Sequence, residues 1–180
     1  GTHPYFRVPI GPDGDLDQCV VTVPAAQYWE REGALPTGKK LPADGKAALA
    51  SGMKFSEMKL DDAFTDLHFE DGQCVTSIVD AGNAQTLVMS FGSEFRNCVV
   101  FNPPHREAVC IEPYTAAPDS INLADRGIDA GLRKLQPGET FETNVEIRLD
   151  QRIGERIALP ISRAVFAIVG KTHRYAPIRA

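Results

Sequence analysis

The stretch LHFEDGQCVTSIV, residues 67–79, decides the fold class. At its centre Asp71 and Gly72 supply the two positive φ angles that a tight turn needs. Leu67 to Phe69 reads as one strand and Cys74 to Val79 as the strand that returns, a β-hairpin. The same grammar continues downstream. AGN at 81–83 turns again, and Thr86 to Phe91 and Cys98 to Phe101 read as further strands. After the turn QPGE at 136–139, TFETNVEIRL at 140–149 alternates apolar and polar residues over its second half, as a half-buried strand does. Ile157 to Leu159 and Ala164 to Val169 also read as strands. Upstream, GPDGD at 11–15 is a turn cluster and Cys19 to Val23 a short strand. LPTG at 35–38 and PADG at 42–45 read as two more turns. Ala25 to Arg31 reads as one helical turn, and Asn122 to Leu135 as the one helix of any size, weakened by Gly127 and Gly131. Many short strands between Gly and Pro turns predict an all-β protein, an antiparallel β-sandwich.

The chain has 180 residues, enough for one domain with a real core. Its formal net charge is −5 and its hydrophobic content 43%, which fits a globular protein and argues against a phosphate-binding, nucleic-acid surface. No apolar run has the length needed to cross a bilayer. GTHPYFRV at 1–8 lacks the basic-then-apolar order of a secretory signal, so a cytoplasmic protein is expected. Cys19, Cys74, Cys98 and Cys110 show no CxxC spacing and lie in or beside strand-like runs. They read as buried free thiols of a reducing compartment, not as metal ligands.

The chemistry points to VCIEPYTAAPDSINL, residues 109–123. Glu112 follows the apolar run Ala108 to Ile111 and precedes Pro113, which breaks regular pairing. A strand ending on an acid places a carboxylate at a sheet rim, half desolvated and within reach of a ligand. The competing reading is an ordinary solvated strand-end Glu. His3 precedes Pro4 and is biased to extended backbone, with Tyr5 and Phe6 beside it to pack. His68 reads as a surface or packing residue on a strand, His105 as an exposed loop residue and His173 as solvated, and Trp29 and Tyr28 as packing residues that could also stack on a ligand. Arg7 and Arg96 read as solvated strand residues, with an anionic ligand group as the alternative.

Three pieces in order resemble one family. GTHPYF at 1–6 is similar to its His-x-Tyr-Phe motif, LDDAFTDL at 60–67 to a second, and CIEPYTAAPDSINL at 110–123 to a third. The third runs on into a GL-x-x-L-x-PGE pattern at 131–139, and LPTGKKLP at 35–42 fits a "PTG" loop. The chain resembles the C-terminal portion of an aldose 1-epimerase, a galactose mutarotase-like protein, over residues 1–149. The resemblance implies a large antiparallel supersandwich without the N-terminal strands that family members carry, and epimerisation of a sugar at C1. It implies His3 as catalytic acid, Glu112 as catalytic base and Asp61 as substrate-binding carboxylate, with no metal or organic cofactor. Asp61 rather than Asp62 keeps the family's Asp-x-x-Phe spacing to Phe64. The domain is expected at 1–150, with 151–180 an atypical extension.

Mutarotation needs a base for the C1 hydroxyl proton and an acid for the ring oxygen. Imidazole titrates near neutrality and serves in both directions. On this reading His3 and Glu112 flank one ring-sized hollow, from opposite sides of the sugar. The rival reading is a carbohydrate-binding or oligomerising module without turnover. A sandwich lacking strands leaves edges that invite pairing, so a homo-oligomer is expected. Light scattering checks this, and a clean monomer at high concentration would count against it.

Overall fold

The computed structural model describes residues 1–105, 107–153 and 156–171, with side chains described up to residue 151 except for Lys46 and Arg106. Among the described residues, twelve strands form two antiparallel six-stranded sheets. One sheet is ordered β1-β10-β9-β6-β3-β4: β1 Tyr5–Arg7, β10 Ala108–Tyr114, β9 Asn97–Phe101, β6 Asp61–Leu67, β3 Ala25–Glu32 and β4 Leu35–Pro42. The other is ordered β12-β11-β8-β7-β2-β5: β12 Arg156–Lys171, β11 Thr140–Ile153, β8 Gln85–Gly92, β7 Gln73–Asp80, β2 Cys19–Thr22 and β5 Met53–Lys54. Ala164 to Val169 lie in β12, which pairs with β11 at the outside of its sheet.

One core lies between the sheets. Phe64, Val100 and Ile111 from the first sheet and Val21, Ile78, Met89 and Phe91 from the second belong to one buried cluster. Each such side chain contributes roughly 1.5–3 kcal/mol on leaving water. The strands show why they fold so: along β7 the residues Cys74, Thr76, Ile78 and Asp80 are buried, alternating with more exposed neighbours. Asp80 is fully buried but not orphaned. Its Oδ2 accepts from the Ile10 amide at 2.9 Å and its Oδ1 from the Asn83 amide at 3.1 Å, tying the segment after β1 to the β7–β8 turn.

The all-β expectation holds, but several local readings do not. The Asp-Gly turn forms: Glu70 and Gln73 exchange two 2.9 Å backbone bonds, with Asp71 at φ 49° and Gly72 at φ 77°. It does not join paired strands. β6 belongs to the first sheet and β7 to the second, so this turn carries the chain from one sheet to the other. Ala25 to Arg31 is not a helical turn. It is most of β3, whose backbone groups are taken by β4 on one side and β6 on the other, and sheet pairing overrides a weak, uncapped helical tendency. LPTG at 35–38 is not a turn either but the start of β4, with a register irregularity opposite Trp29 to Arg31.

The predicted helix shrinks to α1, Ser120–Asp125. Gly127 takes φ 75°, its amide bonds the Ala124 carbonyl, and the Ile128 amide bonds the Leu123 carbonyl at 2.9 Å. That is a left-handed helix stop, and glycine adopts it without a Cβ clash. Glu112 does not end its strand. β10 continues through Pro113, opposite Cys98, to Tyr114. Proline lacks only the amide donor; its carbonyl still accepts from the Thr2 amide at 3.2 Å.

Candidate functional site

Strand periodicity places the site on the face of the first sheet turned away from the inter-sheet core. Residues opposite one another share a face. Tyr5, Cys110, Phe101 and Asp61 form one row across β1, β10, β9 and β6. Glu112, Val99 and Ala63 form the next, and Tyr114, Asn97 and Thr65 the one after. Glu112 and Asp61 thus lie on one face, two strands and one row apart, roughly 12 Å between Cα atoms.

Glu112 is 2% exposed, more deeply placed than a rim carboxylate. His3 covers it: Nε2 lies 3.3 Å from Oε1, and the imidazole is itself half-exposed. His3 is held without being locked. The Thr2 amide bonds the Pro113 carbonyl, and the ring stacks on Tyr5 at 5.3 Å between centroids, 17° between planes. His3 and Glu112 therefore touch on one side of this face and do not face each other across a hollow. Burial, above all, raises the Glu112 carboxyl above its ordinary value; a hydrogen bond from Tyr114 and the nearby His3 pull it back, and the Asp61 charge adds to the rise.

Asp61 is exposed and pairs with Arg31, Nη1 to Oδ2 at 2.8 Å. Arg31 Nε also lies 3.9 Å from Asp62 Oδ1. Asn102 fixes the start of β6, accepting from the Leu60 amide at 2.7 Å and donating to the Met58 carbonyl at 2.9 Å. A cavity of about 550 Å³ opens beside Asp61, lined among others by Arg31, Lys59, Phe101 and Asn102. A smaller one of about 70 Å³ lies between Asp61, Trp29 and Val99.

A cover packs on the middle of the same face. Ala117, Leu123 and Ala130 bury against Trp29, which is 3% exposed and donates its indole N–H to Asn97 Oδ1 at 2.8 Å. Trp29 is thus a packing residue here, and Tyr28 packs against Phe64. Arg96 clamps the cover with two bonds to Asp129, at 2.8 and 3.0 Å. His68 and His105 are exposed. His173 lies outside the described residues.

Donor atoms of His3, Cys110 and Glu112 lie within 4.8 Å of one another. Burial pushes the Cys110 thiol up to about 11, so at neutral pH it is a protonated packing group, not a thiolate. All four cysteines are free and buried, and the Cys19 and Cys74 thiols are raised to about 11 and about 12, chiefly by burial.

The structure brings His3 and Glu112 together and puts Asp61 on the same face. Sequence reading missed Arg31 and Tyr114. Tyr114 had a signal, because it stands two residues from Glu112 on a strand and so shares its face. Arg31 had none once its strand was read as a helical turn.

A family model described as aldose 1-epimerase matches residues 1–148. Among solved structures, the chain is similar to a galactose mutarotase-like protein from Clostridium acetobutylicum, with 24% sequence identity and a TM-score of 0.72. That match covers 83% of this chain and 46% of the other, so this chain spans about half the length of that protein. The likeness shows the galactose mutarotase-like fold. No helix among the described residues is long and apolar enough to cross a membrane.

Proposed function

We propose that this chain, which belongs to the aldose 1-epimerase family, interconverts the α and β anomers of an aldose by acid–base ring opening and closure. The observation that carries this is the 3.3 Å contact between His3 and the buried Glu112. The C1 hydroxyl oxygen and the ring oxygen are bonded to the same carbon. The groups that exchange protons with them must both reach that one carbon's two oxygens, as a neighbouring pair can.

Glu112, as carboxylate, takes the C1 hydroxyl proton. The C1–ring-oxygen bond breaks, a carbonyl forms at C1, and protonated His3 gives its proton to the ring oxygen. Rotation about C1–C2 turns the other carbonyl face toward the new hydroxyl. The roles then reverse: His3 removes the hydroxyl proton, the ring closes, and Glu112 returns its proton to the C1 oxygen. Asp61 accepts from a sugar hydroxyl at the far end, with Arg31 donating beside it. Each positioned acid or base contributes on the order of a hundredfold to ten-thousandfold.

Polarimetry of freshly dissolved α-glucose and α-galactose tests the reading: the protein should speed the optical change above the spontaneous rate. The pH profile carries a sign. Glu112 must be ionised for the forward step, and its carboxyl is raised. Activity should therefore fall on the acid side at a higher pH than an ordinary glutamate would give. No rate above the spontaneous one with any aldose would overturn the reading.

The second reading, binding without turnover, rests on how deeply Glu112 lies beneath His3, at 2% exposure. Saturation-transfer NMR with the same sugars separates the two, since contact with sugar and no acceleration would favour the module.

A further inference from the structure

We propose that the cavity beside Asp61 is a second sugar subsite, and that the preferred substrate is a reducing disaccharide whose non-reducing ring sits there. This rests on the acid–base reading above and names the substrate of that same site. Asp61 and Phe101 stand opposite each other at the ends of their strands: β6 begins at Asp61 and β9 ends at Phe101. Their row, which also holds Cys110 and Tyr5, is next to the row of Glu112. Past it both strands stop, and a cavity of about 550 Å³ opens. Small-molecule pockets usually measure about 300–1,000 Å³. A pyranose with C1 at the His3–Glu112 contact and a far hydroxyl on Asp61 ends at the edge of this cavity. A second ring joined at that far end continues into it.

The walls match a sugar ring better than an anion. Phe101 is half-buried and lines the cavity, followed by Pro103 and Pro104. The C–H face of a pyranose packs on such surfaces, and the polar lining groups Asp61, Asn102, Ser56 and Lys59 are available to its hydroxyls. The cavity is also built in advance. The Asn102 amide bonds the Leu60 carbonyl at 3.1 Å, and its side chain accepts from the Leu60 amide at 2.7 Å and donates to the Met58 carbonyl at 2.9 Å. These bonds stitch the two strand ends together. A phosphate group fits less well. Arg31, the guanidinium in the wall, is already held by Asp61 at 2.8 Å and lies 3.9 Å from Asp62. The Asp61 carboxylate beside it repels an added anion.

The test follows freshly dissolved α-lactose, β-maltose, α-glucose, α-galactose and α-glucose-6-phosphate by polarimetry. One of the disaccharides should show a kcat/KM about tenfold or more above that of the monosaccharides. Ser56→Trp puts bulk into the cavity from an exposed position away from the pyranose. It should remove that preference and leave kcat/KM for the monosaccharides unchanged. A monosaccharide or the phosphate as the best substrate overturns the proposal. So does a folded variant that slows all sugars alike, or none. Saturation-transfer NMR reads the subsite without turnover, and on the wild-type chain alone if the variant fails to fold. The non-reducing ring of the bound disaccharide should be saturated as strongly as the reducing ring, and a non-reducing ring left unsaturated overturns the proposal. If no sugar is turned over, the acid–base reading fails while the saturation pattern still decides the subsite.

Discussion

Glu112→Gln is expected to lower mutarotation by at least the hundredfold to ten-thousandfold that a positioned base supplies, on the order of 3–5 kcal/mol of barrier. The amide fills the same space and still accepts from Tyr114, but takes no proton from a hydroxyl. The stability effect has the opposite sign. A carboxyl whose value is raised on folding binds its proton more tightly in the folded state. Stability therefore falls as pH climbs from the ordinary carboxylate range through the raised value, and the full cost is present above it. The amide carries no such cost. Urea denaturation near pH 8 should find the variant at least as stable as the wild type, and polarimetry should find it inactive. Full activity would sink the assignment of the base; a large loss of stability would show that the carboxylate is instead part of the scaffold.

Trp29→Ala is expected to cost about 3–5 kcal/mol, the usual range for removing a large buried aromatic. The side chain is 3% exposed and forms the floor on which Ala117, Leu123 and Ala130 pack. Its loss also strands Asn97 Oδ1, whose residue is 1% exposed, and a buried acceptor without a donor costs about 1–3 kcal/mol. Trp29→Phe helps to separate the two contributions, since it keeps much of the aromatic area but loses the N–H. Trp29 is the chain's sole tryptophan, so circular dichroism rather than fluorescence must follow unfolding. A loss below about 1 kcal/mol for Trp29→Ala would mean that the cover is not anchored there.

The strand pattern was legible because it is written in local chemistry. β7, β8 and β9 lie within a residue or two of where alternation and turn residues put them. Which strands pair was not legible. The Asp-Gly turn at 71–72 signals a reversal, and nothing local says that its two arms enter different sheets. β3 was hidden because its conformation is imposed by β4 and β6, both distant decisions of the chain. Glu112 stood out from its own stretch and His3 and Asp61 by resemblance, and the shared face of Glu112 and Asp61 follows from register once the pairing is known. The contact between His3 and Glu112, in place of a gap, needed coordinates. So did Arg31, whose role depends on Asp61 standing opposite a strand that the sequence disguised.

Because β1 pairs with β10, residues 5 to 7 lie alongside residues 108 to 110, and the His3–Glu112 contact exists only when this long loop has closed. Closing a loop of that length is entropically costly and slow compared with local strand formation. No shorter piece of the polypeptide holds both groups. Proton-shuttling ability would therefore emerge only once β1 has docked on β10, so its return on refolding would timestamp the joining of the two ends of the first sheet's chain segment.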